Sequence, residues 1–227
     1  MGFYRQVQAI VWKDLLAEFR TKESLSAMLV FSLLVMIAFN FAFEPGMKSR
    51  QEVGPGILWV AFSFAGILGL NRTFVYEKDK ECIQGLMLCP VDHGSIYIAK
   101  LIGNLIFMFI VEMITLPIFA VFFNISIINI LFSLVVVIFL TTVGFSSVGT
   151  IFSAISVNTR ARDVMFPILF LPIVFPIIMG AVKMTGRIFD GKGLFDEVVS
   201  SWLVLVGAFD IIFLVVSFLV FEYVIEE

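Results

Sequence analysis

Six stretches of this chain are apolar almost without interruption: residues 25–43, 54–70, 96–123, 127–157, 164–182 and 201–224. A hydrocarbon layer about 30 Å thick is crossed by roughly 20 helical residues, and inside it every backbone N–H and C=O must be paired within the span. Each stretch therefore predicts a transmembrane helix. The third and fourth exceed the required length and are expected to tilt or to run past the bilayer. The first follows a charged leader and precedes five more, which does not fit a cleaved signal peptide.

Residues 1–24 have a different pattern. Phe3, Val7, Ile10 and Val11 form one apolar stripe at helical spacing, and Trp12, Leu15, Leu16 and Phe19 form a second on a rotated face. A helix lying in the membrane interface, bent near residues 11–12, would bury both stripes while Arg5, Lys13 and Arg20 reach anionic headgroups. The alternative is a helix packed on the protein's own surface. The chain thus divides into an interfacial amphipathic helix, 1–24, and one six-helix membrane domain, 25–227.

Composition agrees. Of 227 residues 60% are hydrophobic, 27 are Phe and 15% are charged, against an apolar share of about 45–50% in soluble domains. A net charge of −3 gives no footprint for nucleic acid. The positions of Lys and Arg carry more information. With the N-terminus inside, Arg5, Lys13, Arg20, Lys22, Arg72, Lys78, Lys80, Lys100, Arg160 and Arg162 are internal; Lys48, Arg50, Lys183, Arg187 and Lys192 are external. This excess predicts both termini in the cytoplasm.

The loop between the second and third spans, about 77–95, holds a charged run followed by Ile83, Leu86 and Met87, which share one face of a short helix that Pro90 ends. Periodicity alone leaves two readings open: a docking element for a partner, or a helix that caps the bundle.

Several blocks carry a resemblance. Trp59-Val60-Ala61-Phe62, Gly69-Leu70-Asn71-Arg72, Glu81-Cys82-Ile83-Gln84-Gly85-Leu86, Pro90-Val91-Asp92, Ile96-Tyr97 and Asn158-Thr159-Arg160-Ala161-Arg162 resemble the CcmB family, the haem exporter permeases of cytochrome c maturation. The similarity runs over most of the chain. It implies an ABC export permease architecture in a bacterial inner membrane. It also implies a second permease copy, a cytosolic CcmA-like ATP-binding subunit, and CcmC-, CcmD- and CcmE-like haem-handling partners. Coupling to the ATPase would then fall on Glu77, Glu81, Ile83, Leu86, Met87, Pro90 and Asp92. Haem would be transported or handled as a ligand, with no cofactor bound covalently. The family leaves two mechanisms: haem crossing the bilayer, or ATP-driven release of a loaded chaperone. Outside it stand a non-transporting scaffold for chaperone assembly and a permease for another hydrophobic substrate.

The residues fit a division of labour with a separate ATPase. A phosphate-binding loop needs G-x-x-x-x-G-K-[ST], whereas the one Gly-Lys pair here, Gly191-Lys192, is followed by Gly193. ATP chemistry is thus expected in the partner, and this chain is not expected to be an enzyme. Gly144-Phe145-Ser146-Ser147 superficially offers a serine nucleophile within a span, but the one histidine, His93, lies in the predicted cytoplasmic loop and cannot serve as its base. His93 reads as a loop histidine rather than a ligand. Cys82 and Cys89 lack C-x-x-C spacing and are expected to be reduced thiols, and no metal site is expected.

Inside the spans, Thr142, Ser146, Thr150 and Ala154 recur every four residues, as do Ala61, Ala65 and Gly69. Small residues at this spacing let membrane helices approach closely, so both stripes read as packing faces. Pro167, Pro172 and Pro176 interrupt the fifth span as either a hinge or a fixed kink. Glu112 and Asp210 are acids within spans, where a central Asp costs about 2.5–3.5 kcal/mol on insertion scales. Helical rise puts them at similar depth, roughly 16 and 14 Å from the outer ends of their spans. Both are expected to point inward, at least one in its protonated form, and to share a network with Asn104. The alternative is two separate acids, each bonded to a nearby group.

Overall fold

The computed structural model describes residues 2–43, 49–75, 92–157, 159 and 161–226. Among them the chain forms seven α-helices: α1 (Phe3–Thr21), α2 (Glu23–Ala42), α3 (Ser49–Arg72), α4 (His93–Phe123), α5 (Leu131–Ser156), α6 (Arg162–Phe189) and α7 (Glu197–Glu226). A short 3-10 turn, Ile128–Ile130, leads into α5. Six helices are long and apolar enough to cross a membrane, over Glu23–Ala42, Glu52–Arg72, His93–Phe123, Ile128–Ser156, Asp163–Phe189 and Glu197–Val224. These are the six stretches that hydropathy marks, four of them with further residues at a charged end and the fourth stretch shorter by one residue at each end.

The α2–α7 helices pack into one bundle whose ends are fixed by polar pairs. At the end carrying both termini, Arg72 of α3 lies 3.8 Å from Glu23 of α2. There, too, the Asn71 amide donates to Asp163 of α6 at 2.9 Å, and His93 Nδ1 of α4 is 4.0 Å from Glu222 of α7. At the opposite end Phe119 of α4 stacks on Phe189 of α6 at 6.2 Å between centroids. Alternating chain direction requires this arrangement of an even number of spans. The Asn71 to Asp163 bond brings together the neighbourhoods of two family-like sequence blocks, 69–72 and 158–162.

α5 is the central helix. Its buried residues run through Leu134, Val137, Ile138, Thr141, Thr142, Gly144 and Phe145 to Ala154, and it packs against α4, α6 and α7. By contrast α2 and α7 leave broad apolar faces outward, including Val30, Leu34, Ile211 and Val215. In water such faces would be costly; against acyl chains they are in their own solvent.

α6 departs from expectation in its length. It is continuous through all three prolines: Phe166, Phe170, Val174, Ile177, Ala181, Met184 and Ile188 keep one unbroken buried stripe, while Pro172 and Pro176 lie on the outward face. It also continues past residue 182 to Phe189, because Lys183 stays exposed and Arg187 pairs with Asp196 at 3.3 Å. The charges that end the apolar run do not end the helix.

α1 is likewise one helix, with no break at residues 11–12. The chain turns instead at Lys22, whose φ of 54° is left-handed. The two stripes of α1 serve different surroundings, so no bend is needed to bury both. Val7 and Ile10 pack with Phe74, Ile96, Tyr97 and Phe221 of the bundle, whereas Trp12, Leu16 and Phe19 are exposed on the other side.

Candidate functional site

A cavity of about 840 Å³ opens at the end of the bundle that carries the termini, between α1, α2, α3, α4 and α6. On its α4 wall lies Lys100, only 3% exposed, whose ammonium donates to Asp14 Oδ2 of α1 at 2.8 Å. The same ammonium sits 5.7 Å from the centre of the Phe74 ring. Removing one member of such a pair leaves a buried charge, which typically costs about 3–5 kcal/mol. Lys100 therefore depends on Asp14 of α1 for its neutralisation.

Above Lys100, α4 presents a polar residue at almost every turn of one face. Asn104 accepts from the Thr73 hydroxyl at 2.8 Å and donates to Thr150 Oγ1 of α5 at 2.9 Å. One turn further, Ser146 Oγ donates to the Met108 thioether at 3.5 Å. Another turn on stands Glu112, 2% exposed, with the Thr142 hydroxyl 3.0 and 2.8 Å from its two carboxyl oxygens. Thr142 also lies 2.7 Å from the carbonyl of Ile138. A hydroxyl has one proton, so Thr142 serves the carboxylate or the carbonyl. With a proton on Glu112, both bonds form: Glu112 donates to Thr142, and Thr142 to Ile138.

Asp210 of α7 is also inside, 6% exposed, but it does not join this ladder. Its carboxyl lies against the Cα of Gly144, and Oδ1 has no hydrogen-bond partner among the described residues. Thr142 and Gly144 are two positions apart on α5, hence about 200° apart around the helix. Glu112 and Asp210 thus approach α5 from different sides, and the expected network shared by Glu112, Asp210 and Asn104 does not form.

The family model described as CcmB protein matches residues 5–226. The chain belongs to the CcmB family. A protein named Heme exporter protein B from Rhodobacter capsulatus is 24% identical over 85% of this chain and 87% of its own length. Proteins of the same name from Pseudomonas aeruginosa and Escherichia coli K12 are 24% and 28% identical, over 71% and 40% of this chain and 72% and 41% of their own lengths. The chain is a multi-pass, all-α membrane protein of this family.

Of the CcmB-like coupling residues, Glu77, Glu81, Ile83, Leu86, Met87 and Pro90 lie outside the described residues, as do Cys82 and Cys89. Asp92 is described: it caps α4, accepting from the Gly94 backbone N–H at 2.8 Å. Thr142, Ser146, Thr150 and Ala154 are all buried, as are Ala61 and Ala65; Gly69 is half-buried, and a Cβ there would stand 2.6 Å from the Met28 sulfur of α2. Among the described residues no three His, Cys, Asp or Glu gather as a metal site.

Several structural partners were not singled out by sequence reasoning. The Lys100–Asp14 pair hides in a count of positive charges. The Trp59 indole donates to Thr185 Oγ1 of α6 at 2.9 Å. Ser153 Oγ donates to the Leu70 carbonyl of α3 at 2.6 Å. The signal for the ladder was nonetheless present: residues 100, 104, 108 and 112 repeat at i, i+4 on one helix face.

Proposed function

We propose that this chain is the membrane-spanning permease subunit of an ABC transporter complex for haem export or haem-chaperone release in c-type cytochrome biogenesis. The carrying observation is the match of the CcmB family over residues 5–226, with relatives named as haem exporters. The six membrane-crossing helices are consistent with a subunit that provides passage rather than catalysis. ATP hydrolysis belongs to a separate CcmA-like subunit, joined by a second permease copy and by CcmC-, CcmD- and CcmE-like proteins. The excess of Lys and Arg at the end with the termini supports a cytoplasmic position for that end.

In this reading, work enters through the coupling residues that the resemblance assigns to the segment before α4, Leu86 among them. Leu86→Asp should abolish nucleotide-stimulated ATPase activity of the complex and c-type cytochrome assembly in a strain lacking the native permease, with membrane levels unchanged. Retention of assembly together with the bound ATPase would refute the docking role. Failure of the unmutated chain to restore assembly in such a strain would refute haem handling itself.

A further inference from the structure

The cavity at the terminal end reaches as deep along α4 as Met108. Lys100, Asn104, Phe107 and Met108 line it; Glu112 does not. Met108 thus stands between a cavity that carries Lys100 and Asn104 on its α4 wall and a buried carboxyl, one turn from each neighbour in the ladder. Methionine suits a movable plug, having three rotatable bonds and a polarizable sulfur that fills irregular gaps. Met108 is seated in the groove that Gly66 leaves in α3, where a Cβ would stand 2.6 Å from its terminal methyl. On α5, Thr150 and Ser146 provide hydroxyls up to the plug, and Thr142 provides one beyond it.

Nothing else charged contacts Glu112 among the described residues. α5 contains no titratable residue. Asp210 of α7 lies over Gly144. Asp14 and Lys100 pair at the cavity wall, Glu23 and Arg72 pair at its rim, Tyr97 bonds the Ser147 carbonyl nearer the terminal end, and Glu222 faces His93. Glu52 lies at the far end of α3. The bonding at Thr142 is completed by a proton on Glu112 and is broken at Ile138 when the proton leaves.

We propose that Glu112 is a proton-exchange site within the membrane, loaded and unloaded from the terminal-end cavity when the Met108 side chain swings aside. The proton passes between water in the cavity and the Glu112 carboxyl, with Thr142 switching its own bond between the carboxylate and the Ile138 carbonyl. The inference rests on the geometry of α4 and α5 and is independent of haem as substrate.

The test is carbodiimide labelling of the full chain in native membranes, read at Glu112 by peptide mass spectrometry. A carboxyl adds to the carbodiimide as an O-acylisourea, and glycinamide then displaces the urea to leave a stable amide. In the unmutated protein, membrane-soluble dicyclohexylcarbodiimide should label Glu112, whereas a water-soluble carbodiimide with glycinamide should do so slowly. Met108→Ala should speed the water-soluble reaction about tenfold, which corresponds to a barrier lower by about 1.4 kcal/mol. Met108→Leu keeps the volume and should retain the slow rate, and adding Asn104→Leu to Met108→Ala should restore it. The proposal is overturned if Met108→Ala leaves the water-soluble rate unchanged. It is equally overturned if Met108→Leu reacts as fast as Met108→Ala, or if the membrane-soluble reagent never labels Glu112.

Discussion

Gly144→Ala tests how closely Asp210 packs against α5. Two effects oppose each other. Alanine favours a helix interior over glycine by about 0.8–1.0 kcal/mol. Its methyl group would, however, overlap Asp210 Oδ1 and stand 3.3 Å from both Ile177 Cδ1 and Phe209 Cδ1. Overpacking of this kind costs about 1–3 kcal/mol, because the Asp210 and Phe209 side chains of α7 and the Ile177 side chain of α6 must all give way. The expected net effect is a loss of up to about 2 kcal/mol. Asp210→Ala removes the colliding carboxyl and a buried oxygen with no described partner, a group whose desolvation costs about 1–3 kcal/mol. It should be neutral or stabilising. In G144A/D210A the methyl group finds room, and the penalty of Gly144→Ala should turn into its helical gain, a coupling of about 1–3 kcal/mol. Thermal unfolding of the full chain in one detergent, followed by circular dichroism, measures the cycle. Greater stability of Gly144→Ala alone, or additivity of the two changes, would refute the contact.

Thr142→Val removes the hydroxyl bonded to Glu112 and should destabilise the bundle by about 1–3 kcal/mol, while Thr142→Ser, which keeps the donor, should recover most of that in the same unfolding assay. Trp59→Phe forfeits the bond to Thr185 and part of a buried ring, so it should cost at least about 1 kcal/mol. Thr185→Val should weaken the stability and largely erase the further effect of Trp59→Phe if the two groups act as a pair.

The spans are legible in the sequence because each is long, apolar and bounded by charge, and lipid permits few structures other than a helix. What hydropathy could not find is where a helix ends when its last turns leave the apolar layer. α6 illustrates this: Lys183 and Arg187 end the apolar run, yet backbone bonding continues to Phe189. The depth of Glu112 and Asp210 was also readable, since rise per residue sets it. Their separation was not, because it depends on which face of α5 each approaches, and that is settled by a two-residue offset between Thr142 and Gly144. Likewise the stripes of α1 were visible as two faces, but their assignment to bundle and exterior depends on α4 supplying Ile96 and Tyr97 beneath Val7 and Ile10.

The polar content of α5 has a physical logic that bears on which of its groups carry function. Between helices in lipid there is little hydrophobic force, so association depends on close approach and cross-helix bonds. Glycines provide the approach by receiving large side chains: Gly149 receives Leu70 of α3, and Gly180 of α6 receives Trp202 of α7. Several hydroxyls then bond inside their own helix, as Ser147 does to Gly144, Thr150 to Ser146 and Ser156 to Ser153. Such groups are small and satisfied, and they pack. A few reach across: Thr142 to Glu112, Thr150 from Asn104 and Ser153 to the Leu70 carbonyl. The Ser153 bond fixes α5 to a backbone atom, which has no alternative position without moving α3. The contacts at Thr142 and Met108 involve side-chain torsions alone, so they can rearrange while the helices stay in place. Movement within this half of the bundle should therefore begin at the Glu112 and Met108 levels.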